Sequence, residues 1–104
     1  MTDKINLEIQ IIEILKTVND PELSADIYEL GLVYEINISD KGFVNIKMTL
    51  TAPGCPVAGD IIMEVDNKVR SVEGVSDVNV MLTFDPPWNR EMMSEEAKLD
   101  LGFL

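Results

Sequence analysis

The chain has 104 residues, 46% of them hydrophobic, and 19 acidic against 8 basic side chains give it a net charge of −11. That length holds one modest core, and the apolar share excludes wholesale disorder. The acidic balance opposes contact with phosphate backbones, so no nucleic acid partner is expected. No stretch approaches a membrane span and no signal-peptide pattern opens the chain, so a cytoplasmic protein without a membrane partner is expected.

Residues 3–18 carry two patterns. Ile5, Leu7, Ile9 and Ile11 alternate as in a strand, whereas Asn6, Gln10, Glu13 and Thr17 form one polar stripe at helical spacing. The run is too long for an ordinary strand, so it reads as a helix, stopped by Asn19-Asp20-Pro21. A turn follows at Asp20-Pro21-Glu22-Leu23. Asp26 and Glu29 share a face if their segment is helical, where they would solvate it. Gly31 then breaks the chain. Residues 32–38 place Leu32, Tyr34, Ile36 and Ile38 on one face of a strand, and Ser39-Asp40-Lys41-Gly42 is a hairpin turn. Residues 43–50 alternate again through Val44, Ile46, Met48 and Leu50.

A second helix is expected from Pro56 to Val72, with Ala58, Ile61, Ile62, Val65, Val69 and Val72 as its buried stripe and Gly74 as its left-handed cap. Residues 77–84 read as a third strand with Val78, Val80, Leu82 and Phe84 on one face. Because every strand is apolar on one side, the expected fold is α+β. It is a two-layer sandwich of order α-β-β-α-β, a three-stranded mixed sheet with both helices on one face. The helical crossover makes the second and third strands parallel if they are neighbours. Residues 1–84 are then a single domain. Residues 85–104 form a tail that begins at Asp85-Pro86-Pro87-Trp88, where Ser94 can cap a short helix. Met92, Met93, Leu99, Leu101, Phe103 and Leu104 are too apolar for a free tail, so the segment docks on the domain or on a partner.

The chemistry concentrates on Cys55, the only cysteine. One cysteine excludes an intrachain disulfide and a complete cysteine zinc site, and the absence of histidine excludes histidine-dependent triads. Pro56 suits the first helical position, which puts Cys55 at the N-cap, where first-turn N–H groups and the helix dipole favour thiolate. The thiol is either reactive or metal-binding there, or a small buried hydrophobe in a turn. Asp20 and Glu22, beside Pro21, are either turn caps or placed ligands. One soft ligand is too few for an iron–sulfur cluster, which usually takes four, so this chain can hold one only transiently and by sharing it. No tightly bound cofactor is expected.

Asp20-Pro21-Glu22-Leu23 resembles the DPE motif of the SufT-like proteins of iron–sulfur cluster assembly. Asp26-Ile27-Tyr28-Glu29-Leu30-Gly31-Leu32-Val33 is similar to that family's D-x-x-x-L-G-L-V stretch, and Met48 through Pro56 to its T-x-P-x-C-P motif. The tail, from Asp85-Pro86-Pro87-Trp88 through Met93-Ser94 and from Leu101 to Phe103, matches as well. The resemblance implies the α+β fold reached above and a non-enzymatic, accessory role in SUF-type cluster assembly and protein maturation. It implies that Cys55 is the functional cysteine and a shared cluster ligand, and that Asp20 and Glu22 are the family's acidic pair and candidate metal ligands. The implied partners are iron–sulfur scaffold or carrier proteins and client apoproteins; the single soft ligand adds a homodimer or small thiols as ways of sharing a cluster. The rival expectation is a pure interaction adaptor with a structural cysteine. No cysteine follows position 55, which disfavours the PaaD-like branch with its cysteine-rich C-terminal region. The C-x-x-C pair of the NifU C-terminal domain is also missing, and no P-loop ATPase follows.

Overall fold

The computed structural model describes residues 4–20, 23, 25–51 and 58–102. Helix α1 spans Lys4–Leu15, strands β1 and β2 span Val33–Ile38 and Phe43–Met48, helix α2 spans Ala58–Arg70 and strand β3 spans Asp77–Leu82. A 3-10 turn at Arg90–Met92 and a short helix α3 at Glu95–Asp100 follow among the described residues. The sheet order is β1-β2-β3, with β1 antiparallel and β3 parallel to the central β2. The crossover through α2 therefore gives the parallel pair expected of it.

One face of the sheet carries the core. Val44, Ile46 and Met48 alternate into it from β2, and Leu7, Ile11 and Leu15 come down from α1 at the i, i+4 spacing of one helix face. Ile61, Val65 and Val69 do the same from α2. Each such side chain, fully buried, contributes about 1.5–3 kcal/mol. The opposite face is polar, where Asn79 donates to Asn45 across the two strands at 3.3 Å.

The polar stripe of α1 lies in solvent as expected, but so do Ile5 and Ile9, at 74% and 54% exposure. They face away from the direction shared by Leu7, Ile11 and Leu15, which is why the segment mimics strand alternation in sequence. The hairpin turn closes through Ser39, whose hydroxyl accepts the Lys41 and Phe43 amides, while Gly42 takes a positive φ of 83°. Helix α2 ends at Arg70, two residues short of the expected Val72, and Gly74 follows at φ 101°.

Two expectations are corrected. Tyr34 does not join Leu32, Ile36 and Ile38 in the core. The register slips between Val33 and Glu35, which pair with Met48 and Lys47, so Tyr34 is the extra residue of a β-bulge. Its hydroxyl instead donates to the Pro86 carbonyl at 2.8 Å. The third strand also stops at Leu82 rather than running to residue 84, and Leu82 and Phe84 are 39% and 38% exposed.

The segment after β3 crosses the end of the sheet toward β1. The Asp85–Pro86 peptide is cis. Trp88 Nε1 donates to Leu30 O at 2.7 Å, and the Ser94 amide donates to Glu29 O at 2.8 Å. Ser94 caps α3 by accepting the Ala97 amide at 3.1 Å. Met93 and Ala97 are buried at 5% and 4% exposure, within the same core as the sheet. Gly31 makes this seat possible: its φ is 78°, and a Cβ there would collide with the Met92 carbonyl.

Candidate functional site

The three site residues named from sequence divide unevenly. Asp20 is described; Glu22 and Cys55 lie outside the described residues, as does the helix start at Pro56. The geometry relating the three, and the shielding of Cys55 by the tail, fall outside them too. What the structure does show is how the flanks of each motif are held.

The loop carrying Asp20 is closed at its base. The Ile27 amide donates to Val18 O at 2.8 Å, the Asp20 amide donates to Ala25 O at 2.9 Å, and Asn19 bridges Asp26 in antiparallel fashion. Asp20 is itself only 4% exposed, and its Oδ1 accepts the Leu23 amide at 3.1 Å. That is the turn-capping geometry that Asp favours three residues before an amide. Asp26 repeats it, accepting the Glu29 amide at 2.9 Å. Glu29 then pairs with Lys16 at 3.6 Å. The segment of Asp26 and Glu29 is a chain of turns, so the condition for their sharing a helical face is not met. With Glu96 and Asp100 of α3 they line a cavity of about 430 Å³.

The chain leading to Cys55 leaves the end of β2 under equally tight control. The Thr49 amide donates to Leu32 O at 2.8 Å, and the Thr83 amide donates to Met48 O at 2.9 Å. Thr49 is fully buried, Leu50 is 3% exposed, and α2 resumes at Ala58. Thr49 Oγ1 is buried and has no hydrogen-bond partner among the described residues. Such a group costs about 1–3 kcal/mol. Nothing in the spacing marks this residue, because strand alternation places it opposite the apolar face of Met48 and Leu50.

The electrostatics follow from how the few cations are used. Lys4, Lys16, Lys47, Lys68, Arg70 and Lys98 each pair with a carboxylate, which accounts for six of the eight basic residues. The Lys4 ammonium, hydrogen-bonded to Asp40, holds that carboxyl below its usual range. Hydrogen bonds from Arg70 and the Val78 amide do the same for Asp77. The remaining carboxylates leave the surface strongly acidic. Among the described residues no group of three or more Cys, Asp or Glu side chains is disposed to hold a metal ion. No helix among them is long and apolar enough to cross a membrane.

Comparison with known proteins gives these flanks a context. The profile of a family described as iron–sulfur cluster assembly protein matches residues 8–82. The chain is 54% identical over 97 residues to an Fe-S protein maturation auxiliary factor of Porphyromonas gingivalis, covering 93% of this chain and 92% of that one. It is 44% identical over 83 residues to the Fe-S protein maturation auxiliary factor SufT of Staphylococcus aureus, covering 80% of this chain and 94% of that one. Among solved structures, a domain of unknown function, DUF59, from Bacillus anthracis superposes with a TM-score of 0.89 at 38% identity, covering 96% of this chain and 95% of that one.

Proposed function

We propose, because this chain belongs to the iron–sulfur cluster assembly protein family, that it is an accessory factor in building iron–sulfur clusters and maturing the proteins that hold them. The observation that carries the reading is the 54% identity, over nearly the full length of both chains, to a maturation auxiliary factor. The role is non-enzymatic: the chain has no histidine to serve as base for its one thiol.

The mechanism rests on Cys55. One thiolate supplies one soft ligand, so iron or a cluster is cargo, shared with other thiolates and released readily. Those further ligands come from a scaffold or carrier protein, from a client apoprotein or from a second copy of this chain. Asp20 serves the site as the cap that shapes its loop, which supports a positioning role for this carboxylate; Glu22 is the second oxygen donor of the pair. The closed base of the Asp20 loop, and the Leu32 and Met48 carbonyls that accept the Thr49 and Thr83 amides, fix the described flanks of both motifs.

Anaerobic reconstitution with iron and sulfide tests this directly. The expected result is visible charge-transfer absorbance that disappears in Cys55→Ser. No absorbance, with partner binding intact in that variant, would make the protein an adaptor with a structural cysteine.

A further inference from the structure

The turn segment at residues 25–32 belongs to no helix and to no strand of the sheet, yet Ile27, Leu30 and Leu32 within it are fully buried. Its backbone is held from two sides. On one side lies the Asp20 loop. The Ile27 amide donates to Val18 O at 2.8 Å, the Asp20 amide donates to Ala25 O at 2.9 Å, and Asn19 bridges Asp26. On the other side lies the C-terminal segment. Trp88 Nε1 donates to Leu30 O at 2.7 Å, and the Ser94 amide donates to Glu29 O at 2.8 Å. Asp26 joins the two sides. Its Oδ1 accepts the Glu29 amide at 2.9 Å, and its carbonyl accepts the Leu30 amide at 3.1 Å. The two residues that receive the tail are therefore the two that Asp26 fixes.

Helix α3 packs on this segment rather than on the sheet, since it shares no extensive contact with α1, α2 or any strand. Glu96, Ala97 and Asp100 instead face Asn19, Asp26 and Glu29 across the cavity of about 430 Å³. A space of that size forfeits contacts that close packing would supply. Hydrogen bonds thus tie tail, turns and loop to one another, while the seam between α3 and the loop is incompletely filled. A layer of this kind, outside the β-ladders, opens at lower cost than the strands beneath it.

We propose that residues 88–97 are a strap governing the Asp20 loop: strap and loop open together, in a sub-global motion that leaves the three strands paired. Asp20 is 4% exposed with the loop closed, so opening is what brings its carboxylate into solvent. A protein that draws the strap off Glu29 and Leu30 therefore frees the acidic loop. By linkage, whatever seats against the opened loop loosens the strap by the same factor. The purpose of this device rests on the proposed maturation role, because it regulates the acidic motif of that site. Its test does not.

Amide exchange of the full chain reads the coupling. Ser94→Pro deletes the donor to Glu29 O and sets a ring carbon against that oxygen, so the strap must lift. The backbone already suits proline, with Ser94 at φ −64° and Met93 before it at ψ 149°. The expected result is exchange of the Asp20 and Ile27 amides faster by about fivefold or more, with the β2 amides unchanged. Trp88→Phe keeps a ring and removes the bond to Leu30 O. It should speed the same two amides about fivefold, and it decides the matter if Ser94→Pro fails to fold. In the reverse direction, Asp26→Ala removes the acceptor of the Glu29 amide and should speed exchange of the Ser94 amide and the Trp88 indole. The proposal is overturned if the Asp20 and Ile27 amides keep their rates when the strap is loosened. It is equally overturned if the β2 amides accelerate by the same factor, which would make the opening global. None of these readouts uses iron or Cys55, so failure here and failure of cluster handling are separable.

Discussion

Trp88 hands its indole N–H to the carbonyl oxygen of Leu30, 58 residues earlier in the chain, at 2.7 Å. That bond ties the C-terminal segment to the turn that precedes β1, and Met93 and Ala97 follow it into the core. The segment therefore contributes to the stability of the sheet. Trp88→Phe keeps most of the ring burial and should cost about 1 kcal/mol for the lost hydrogen bond. Met93→Ala should cost about 2–5 kcal/mol through the cavity it leaves. Both are read from urea unfolding, which should remain a single transition. A separate early transition for the tail would show that it does not fold with the domain.

Thr49 gives the opposite sign. Its buried hydroxyl has no partner among the described residues, so Thr49→Val should raise stability by about 1 kcal/mol with the fold unchanged. A loss of stability on this substitution would mean that the hydroxyl is engaged in solution.

The acid limb of stability should carry the signature of Asp77. Arg70, then the Val78 amide, lowers the folded-state pKa of this carboxyl. A depressed pKa stabilises the fold above the unfolded value of about 3.9, and the contribution is lost as pH falls through the folded value. Asp77→Asn should flatten stability against pH in that acidic window and leave the slope above pH 6 unchanged. Identical acid limbs would show that the pair is screened away at the surface.

Much of this architecture was legible in the sequence because the strands alternate cleanly over a single buried face. Val44, Ile46 and Met48 announce β2, and the Ser39–Gly42 turn fixes the hairpin. Tyr34 was not legible, because a bulge leaves the alternation intact while moving one side chain out of it. Leu82 and Phe84 continue the apolar pattern beyond the point where α2 covers it, so periodicity overran the strand. At the site, Asp20 could be read as a cap or a ligand from its neighbours, and the accepted Leu23 amide supports the cap. Cys55 was conspicuous for its uniqueness, whereas Thr49 carried no signal because burial of a hydroxyl leaves no mark on spacing.

Cys55 should be more acidic than an ordinary thiol if it stands at the start of a helix. The pH dependence of iodoacetamide alkylation checks this. The expected midpoint lies below the model-peptide value of about 8.5, and one at or above it would contradict the assignment.

The most direct measurement of the maturation role is made in cells. Radioactive iron incorporated into iron–sulfur proteins is compared among a strain lacking this protein, the same strain supplied with the wild-type chain, and one supplied with Cys55→Ser at equal abundance. The account predicts that incorporation falls on deletion, returns with the wild-type chain and fails to return with Cys55→Ser. Unchanged incorporation on deletion would contradict the maturation role, and full rescue by Cys55→Ser would contradict the part assigned to the thiol.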